Sequence, residues 1–179
     1  MKTILDVCCG GRCFWFDKNN PAAVYVDRRI EHVKMKHKKE KDGFLHLDIR
    51  PDIQADFTCL PFRDGAFELV VFDPPHLFDR GNNSWLMKRY GRLPDDWEFM
   101  ISEGFFECFR VLSDSGVLIF KWSKTDVPIS RVINLTKLKP IFGHKSGKQN
   151  NTHWVCFKKD RAKKEDMENI QNNRQQPHV

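Results

Sequence analysis

The residues of this chain best suited to chemistry are Asp73-Pro74-Pro75-His76, which follow the apolar run Phe67–Phe72. An aromatic amine is a poor nucleophile, because its lone pair is delocalised into the ring. A carboxylate at Asp73 can accept one N–H of such an amine, and the Pro74 carbonyl can accept the other. Together they would draw the nitrogen toward tetrahedral geometry and aim its lone pair at a methyl donor. That is catalysis by positioning and electrostatics. Pro74 and Pro75 stiffen the turn, which limits the ordering entropy lost on binding. His76 offers a flat, polar ring for stacking or hydrogen bonding. The same four residues also suit a rigid turn at a strand end. The apolar strand before them gives them their weight.

Three further stretches suit a nucleoside-containing ligand. Asp6-Val7-Cys8-Cys9-Gly10-Gly11 closes an apolar run with small residues, which lets a ligand approach the backbone. It is not G-x-G-x-x-G, and dinucleotide binding has little support. Asp27, after Ala23–Val26, can accept hydrogen bonds from both hydroxyls of a ribose. Asp56 can accept from an adenine amino group, with the Phe57 N–H facing a ring nitrogen and Leu60 and Phe62 as apolar walls. The segment Leu77–Leu93 carries Arg80, Lys88, Arg89 and Arg92 with Trp85 and Tyr90 interleaved. Basic residues between aromatics suit phosphates and unstacked bases, and a segment of this length can act as a lid. Lys145 and Lys148 add charge in a later loop. Phe14-Trp15-Phe16 fits either a pocket wall or the core. No His or Cys spacing suits a metal site.

These residues need elements to position them. Thr3–Cys8, Ala23–Val26, Phe67–Phe72 and Val117–Trp122 read as strands. A third strand falls at Phe44–Ile49 or at Ile53–Phe57, and the pattern does not choose. Arg28–Lys39 is strongly basic and reads as a solvated helix. Asp95–Leu112 has helical spacing at Trp97, Ile101, Phe105, Cys108 and Phe109. Pro128–Leu135 reads as a further helix. Lys139–His144 and His153–Phe157 read as a closing hairpin. The expected fold is α/β: a mostly parallel sheet of about seven strands, an antiparallel edge hairpin, and helices on both faces. Ligands of such sheets sit at the carboxyl ends of the strands.

In order and spacing, these stretches resemble the class I S-adenosylmethionine-dependent methyltransferases over Ile4–Lys158. Ile4–Gly11 is similar to their cofactor loop, Val24–Asp27 to their ribose strand, and Asp56–Phe62 to their adenine loop. Gly65–Asp73 is similar to their fourth strand, and Arg110–Ile119 to the helix–turn–strand that follows. Asp73–His76 further resembles the D-P-P-[aromatic] motif of the amino-methyltransferases of adenine N6 or cytosine N4. Together with Cys8-Cys9-Gly10-Gly11, it is similar to small methyltransferase-like proteins of phages and mobile elements. The resemblance implies S-adenosylmethionine as cofactor, held by Asp6, Cys8, Gly10, Asp27, Asp56, Phe57 and Asp73, with no metal. It implies catalysis by Asp73, Pro74, Pro75 and His76. Substrate contacts fall to Arg80, Trp85, Lys88, Arg89 and Tyr90. The chain departs from the family at Cys8 and Arg12, where glycine is usual, and a Cys8 side chain would crowd the cofactor. With a first strand expected so near Met1, no preceding helix is expected to cover the cofactor. No separate target-recognition domain is expected, which leaves sequence reading to short loops.

Composition bounds the partners. The chain has 179 residues, 40% hydrophobic, with 15 Phe and 5 Trp, which suits one packed domain over residues 1–158. Residues 159–179 read as a polar tail, with a frayed helix near 163–170. A formal charge of +6 favours a polyanionic partner, and the resemblance implies a nucleic acid, DNA first. A duplex target would have to be flipped out of the stack. No apolar run spans a membrane, and Asp6 comes too early for a secretory signal. Six cysteines without C-x-x-C fit reduced thiols in a cytoplasm. Four readings stay open: a DNA base methyltransferase, an RNA counterpart, a small-molecule or protein-side-chain amine methyltransferase, and a catalytically silent accessory protein.

Overall fold

The apolar runs pair into one sheet around a short first strand, β1 (Ile4–Asp6). A computed structural model describes residues 2–36, 41–81 and 84–159. β2 (Ala23–Asp27) pairs parallel on one side of β1. After β3 (Glu31–Lys36) and β4 (Phe44–Ile49), β5 (Ile53–Gln54) adds to the outer edge of β2. β6 (Phe67–Phe72) pairs parallel on the other side of β1. The chain then forms α1 (Trp85–Tyr90), α2 (Trp97–Val111), β7 (Leu112–Ser123), α3 (Ile129–Ile133), β8 (Phe142–Ser146) and β9 (Thr152–Lys158). The seven-stranded order is β5-β2-β1-β6-β7-β9-β8, with β9 antiparallel to both neighbours. This is the expected mostly parallel sheet with an antiparallel hairpin. Strand order reverses between β1 and β6, and a ligand crevice opens at such a switch point.

The basic stretch Arg28–Lys39 is not a helix where it is described. Its residues Glu31–Lys36 form β3, which pairs antiparallel with β4 in a separate two-stranded sheet. The cause is a period of two. Val33 and Met35 turn inward while His32, Lys34 and Lys36 are exposed, and β4 answers with buried Leu45, Leu47 and Ile49. Both candidate third strands exist, in different sheets. The helix expected near 163–170 and the rest of the tail from 160 on lie outside the described residues. Lys159, assigned to that tail, is buried and its ammonium donates to the Leu112 carbonyl at 2.6 Å.

α2 forms because its apolar residues recur at helical spacing, burying Trp97, Ile101, Phe105, Cys108 and Phe109. Phe105 meets Phe72 and Phe120 at ring-centroid distances of 5.5 and 4.8 Å. Each such pair adds about 0.5–1.5 kcal/mol beyond area burial. Gly104 permits the approach, since a Cβ there would lie 2.5 Å from Phe72 Cζ. α3 lies beside α2, with Ser102 Oγ donating to the Leu135 carbonyl and Arg131 paired to Glu98. The β1–β2 connection is built of turns, with Trp15 packed edge-on against Tyr25 at 5.0 Å. All six cysteines are free thiols. Among the described residues, no helix is long and apolar enough to cross a membrane.

Candidate active site

β1 and β6 run side by side with Asp6 opposite Val71, so their following loops leave the sheet together. A cavity of about 300 Å³ opens there, walled by Cys8, Gly10, Asp27, Phe57, Asp73 and Tyr90, with Phe14, Pro75, Arg89 and Lys121. The Asp73 carboxylate and the loop after β1 therefore share one cavity. Register explains a further contact. Phe72 pairs with Phe120, which sets Asp73 beside Lys121 on the neighbouring strand. The Lys121 ammonium donates to Asp73 Oδ2. It also lies 5.6, 5.7 and 6.0 Å from the ring centres of Phe14, Trp154 and Tyr90. Such ring faces attract a cation. Asp73 Oδ1 is buried and accepts no hydrogen bond.

His76 is not the ring that faces the cavity. It is 7% exposed, packed against Tyr90 and Trp122, with Nδ1 3.2 Å from the Pro74 carbonyl. Burial lowers its pKa below the ordinary value, against the opposing pull of Asp73, and keeps the ring neutral at physiological pH. A proton on Nδ1 satisfies the Pro74 carbonyl, which leaves that carbonyl less free for a substrate N–H. Pro74 is itself buried, whereas Pro75 lines the cavity. The flat walls are Tyr90, Phe14 and Phe57. α1 delivers Tyr90, and Gly91 ends that helix at φ +76°, where a Cβ would press to 3.2 Å from Pro75 Cγ.

The other expected contacts divide. Cys8, Gly10, Asp27 and Phe57 line the cavity. Asp27 is buried at the end of β2. Its Oδ2 accepts the Gly10 N–H at 2.9 Å, and its Oδ1 accepts the Arg29 N–H at 2.9 Å. Arg29 donates onward to the Lys88 carbonyl at 3.1 Å, tying α1 to β2. Burial, then Asp27 and Asp6, raise the Cys8 thiol well above its ordinary pKa, so it stays protonated and is no nucleophile. Asp6 and Asp56 stand outside the cavity wall. Asp56 Oδ1 accepts the backbone N–H and hydroxyl of its own neighbour Thr58 at 2.9 and 2.8 Å. Arg89 and Tyr90 line the cavity. Trp85, Lys88 and Arg80 do not, and Arg80 pairs with Asp126. Among the described residues, no three His, Cys, Asp or Glu side chains gather to hold a metal ion.

Asp6 acts on the loop. Its carboxylate is fully buried and accepts from Trp15 Nε1 at 2.7 Å and the Cys8 N–H at 3.3 Å. Burial outweighs these bonds and raises its pKa from 3.8 to about 7. The folded value exceeds the unfolded one. The contribution of Asp6 to stability is thus full below about pH 4 and is lost as pH rises to about 7. Urea midpoints of the wild type should fall across this window more steeply than those of Asp6→Asn. The difference should approach one proton, about 1.4 kcal/mol per pH unit. Parallel pH profiles for the two proteins would show that Asp6 ionises normally.

No protein-family model matches the sequence, and comparison with curated proteins finds no match either. Solved structures resemble its fold. The protein PH0226 from Pyrococcus horikoshii OT3 superposes with a TM-score of 0.54 at 15% identity, over 88% of this chain and 82% of that one. A SAM-dependent methyltransferase from Leishmania major matches with a TM-score of 0.50 at 12% identity, over 88% of this chain and 64% of its own. At such identities the likeness is one of fold. The chain has the Rossmann-like fold of S-adenosylmethionine-dependent methyltransferases.

Proposed function

We propose that this chain is an S-adenosylmethionine-dependent methyltransferase acting on an exocyclic amine of a nucleic-acid base, adenine N6 of DNA first. One observation carries the reading: Asp73 stands in the cavity at the switch point with one carboxylate oxygen on Lys121 and the other buried without a donor. An unsatisfied buried acceptor is costly, and a small turn of the Asp73 side chain toward the cavity would let a substrate N–H relieve it. The residues present fit the cofactor. Asp27 at the end of β2 suits a ribose, Phe57 an adenine face, and Gly10 a close backbone approach. S-adenosylmethionine, when bound, supplies an electrophilic methyl group on sulfur. Asp73 then accepts the amine N–H and steadies the positive charge that develops on nitrogen as the C–N bond forms and the C–S bond breaks. The excess proton leaves toward the same carboxylate or to water. Tyr90 and Phe14 hold the base flat.

A small anionic acceptor is the second reading, favoured by Lys121 and Arg89 in one cavity wall. Nucleosides from DNA and RNA treated with the chain and a methyl-labelled cofactor separate the readings by mass spectrometry. N6-methyladenine in DNA is expected, and a labelled base in RNA alone would move the target. The absence of any methylated base, with cofactor binding intact, would remove nucleic acid as substrate.

A further inference from the structure

A second groove adjoins the cavity, and Gly11, Cys13 and Arg89 line both. Its other walls include Arg12 and Lys18 from the loop after β1, and His46, Asp48 and Arg50 from β4 and its exit. Arg12, Lys18, Arg50 and Arg89 share this wall with one acidic residue, Asp48, which pairs with Arg50 at 2.9 Å, while Arg12 also meets Asp52 at 3.4 Å. Arg12 ties the two sides together, donating to the Lys18 carbonyl at 2.6 Å and the Arg50 carbonyl at 2.8 Å. A wall built this way needs little ordering to receive an anion. The β3–β4 sheet extends the charge. Lys34 lies directly opposite His46 on the same exposed face, and its ammonium sits 4.4 Å from the centre of the Phe44 ring. Cations alternating with an aromatic face, along a groove that opens into a pocket, suit a strand of phosphates beside an extruded base.

We infer that this groove carries the phosphodiester backbone of a single-stranded nucleic acid whose target base enters the cavity. The inference rests on the nucleic-acid reading above and gives the period-two basic strand β3 a role. The strand pair stands where a solvated helix was expected, and His46 and Asp48 of its second strand line the groove.

The test uses the full chain and a fluorescent single-stranded oligonucleotide, DNA in one arm and RNA in the other, with anisotropy followed over a salt series. Lys18→Glu/Lys34→Glu/Arg50→Glu should bind at least about tenfold more weakly, with a log–log salt slope smaller by about 2. S-adenosylhomocysteine should titrate into wild type and variant with equal affinity, which also shows that the variant is folded. Lys18→Gln/Lys34→Gln/Arg50→Gln should shift oligonucleotide binding the same way, by less. Equal affinity and slope for all three proteins would overturn the groove, even if the wild type methylates bases. So would a wild type that binds neither oligonucleotide. If the variants lose binding while the wild type makes no methylated base, the groove stands and the methylation reading alone fails.

Discussion

Asp73→Ala should lower turnover of the methylated base by a factor on the order of 10²–10³, the scale of losing one preorganised charge-stabilising group, while S-adenosylhomocysteine still binds. The loss should fall on kcat more than on KM. The carboxylate matters most when the amine nitrogen becomes positive, and that charge is absent in the ground state. Asp73→Asn separates charge from shape. It keeps an acceptor oxygen but cannot neutralise a developing cation, and it leaves Lys121 without its carboxylate. It should therefore resemble the alanine variant in rate. Lys121 keeps three aromatic faces in either variant, so the chain should remain folded. Undiminished turnover in Asp73→Ala would show that the amine is oriented by some other group.

How far this site could be read from sequence depends on the range of the contacts. β6 was legible to the residue, because a nearly unbroken apolar run ended by Asp-Pro-Pro is a local signal. α2 was legible to within two residues at its start and one at its end, since its helical spacing is local too. The basic stretch after Asp27 failed for an instructive reason. Its charge drew the reading toward a solvated helix, whereas Val33 and Met35 alternate with lysines in a strand's period. Lys121 was missed altogether. Its signal was a lone cation inside the apolar run Ile119–Trp122, but only the parallel register with β6 places it on Asp73. His76 lies deeper than its motif suggests. The motif suggests a ring at the surface of the site, and packing against Trp122 draws it inward. The family resemblance assigns Asp6 to the cofactor, and Asp56 suits an adenine amino group. In the structure both oxygens of Asp6, and Oδ1 of Asp56, hold the loops themselves.

A buried acid on α2 shows what such loop-holding is worth. Glu107 is 7% exposed. Its Oε2 accepts the Leu60 N–H at 2.7 Å, and Oε1 accepts Arg110 Nε at 2.6 Å. Arg110 in turn donates to the Phe62 carbonyl at 2.7 Å and the Leu60 carbonyl at 3.0 Å. This pair ties α2 to the loop from Asp56 to Asp64, which brings Phe57 to the cavity. Glu107→Ala would leave a buried N–H unpaired and a half-buried guanidinium without its closest carboxylate. Breaking a buried pair costs about 3–5 kcal/mol. The lower end applies here, because Arg110 keeps Asp64 and some solvent. Melting should fall by roughly 6–12 °C. Affinity for S-adenosylhomocysteine should fall with it, because a loosened loop no longer fixes the Phe57 wall. Glu107→Gln retains an acceptor for Leu60 and should lose less on both counts. A melting temperature unchanged in Glu107→Ala would mean that the loop is held by its apolar anchors, Leu60 and Phe62, and that the acid is incidental to the cofactor wall.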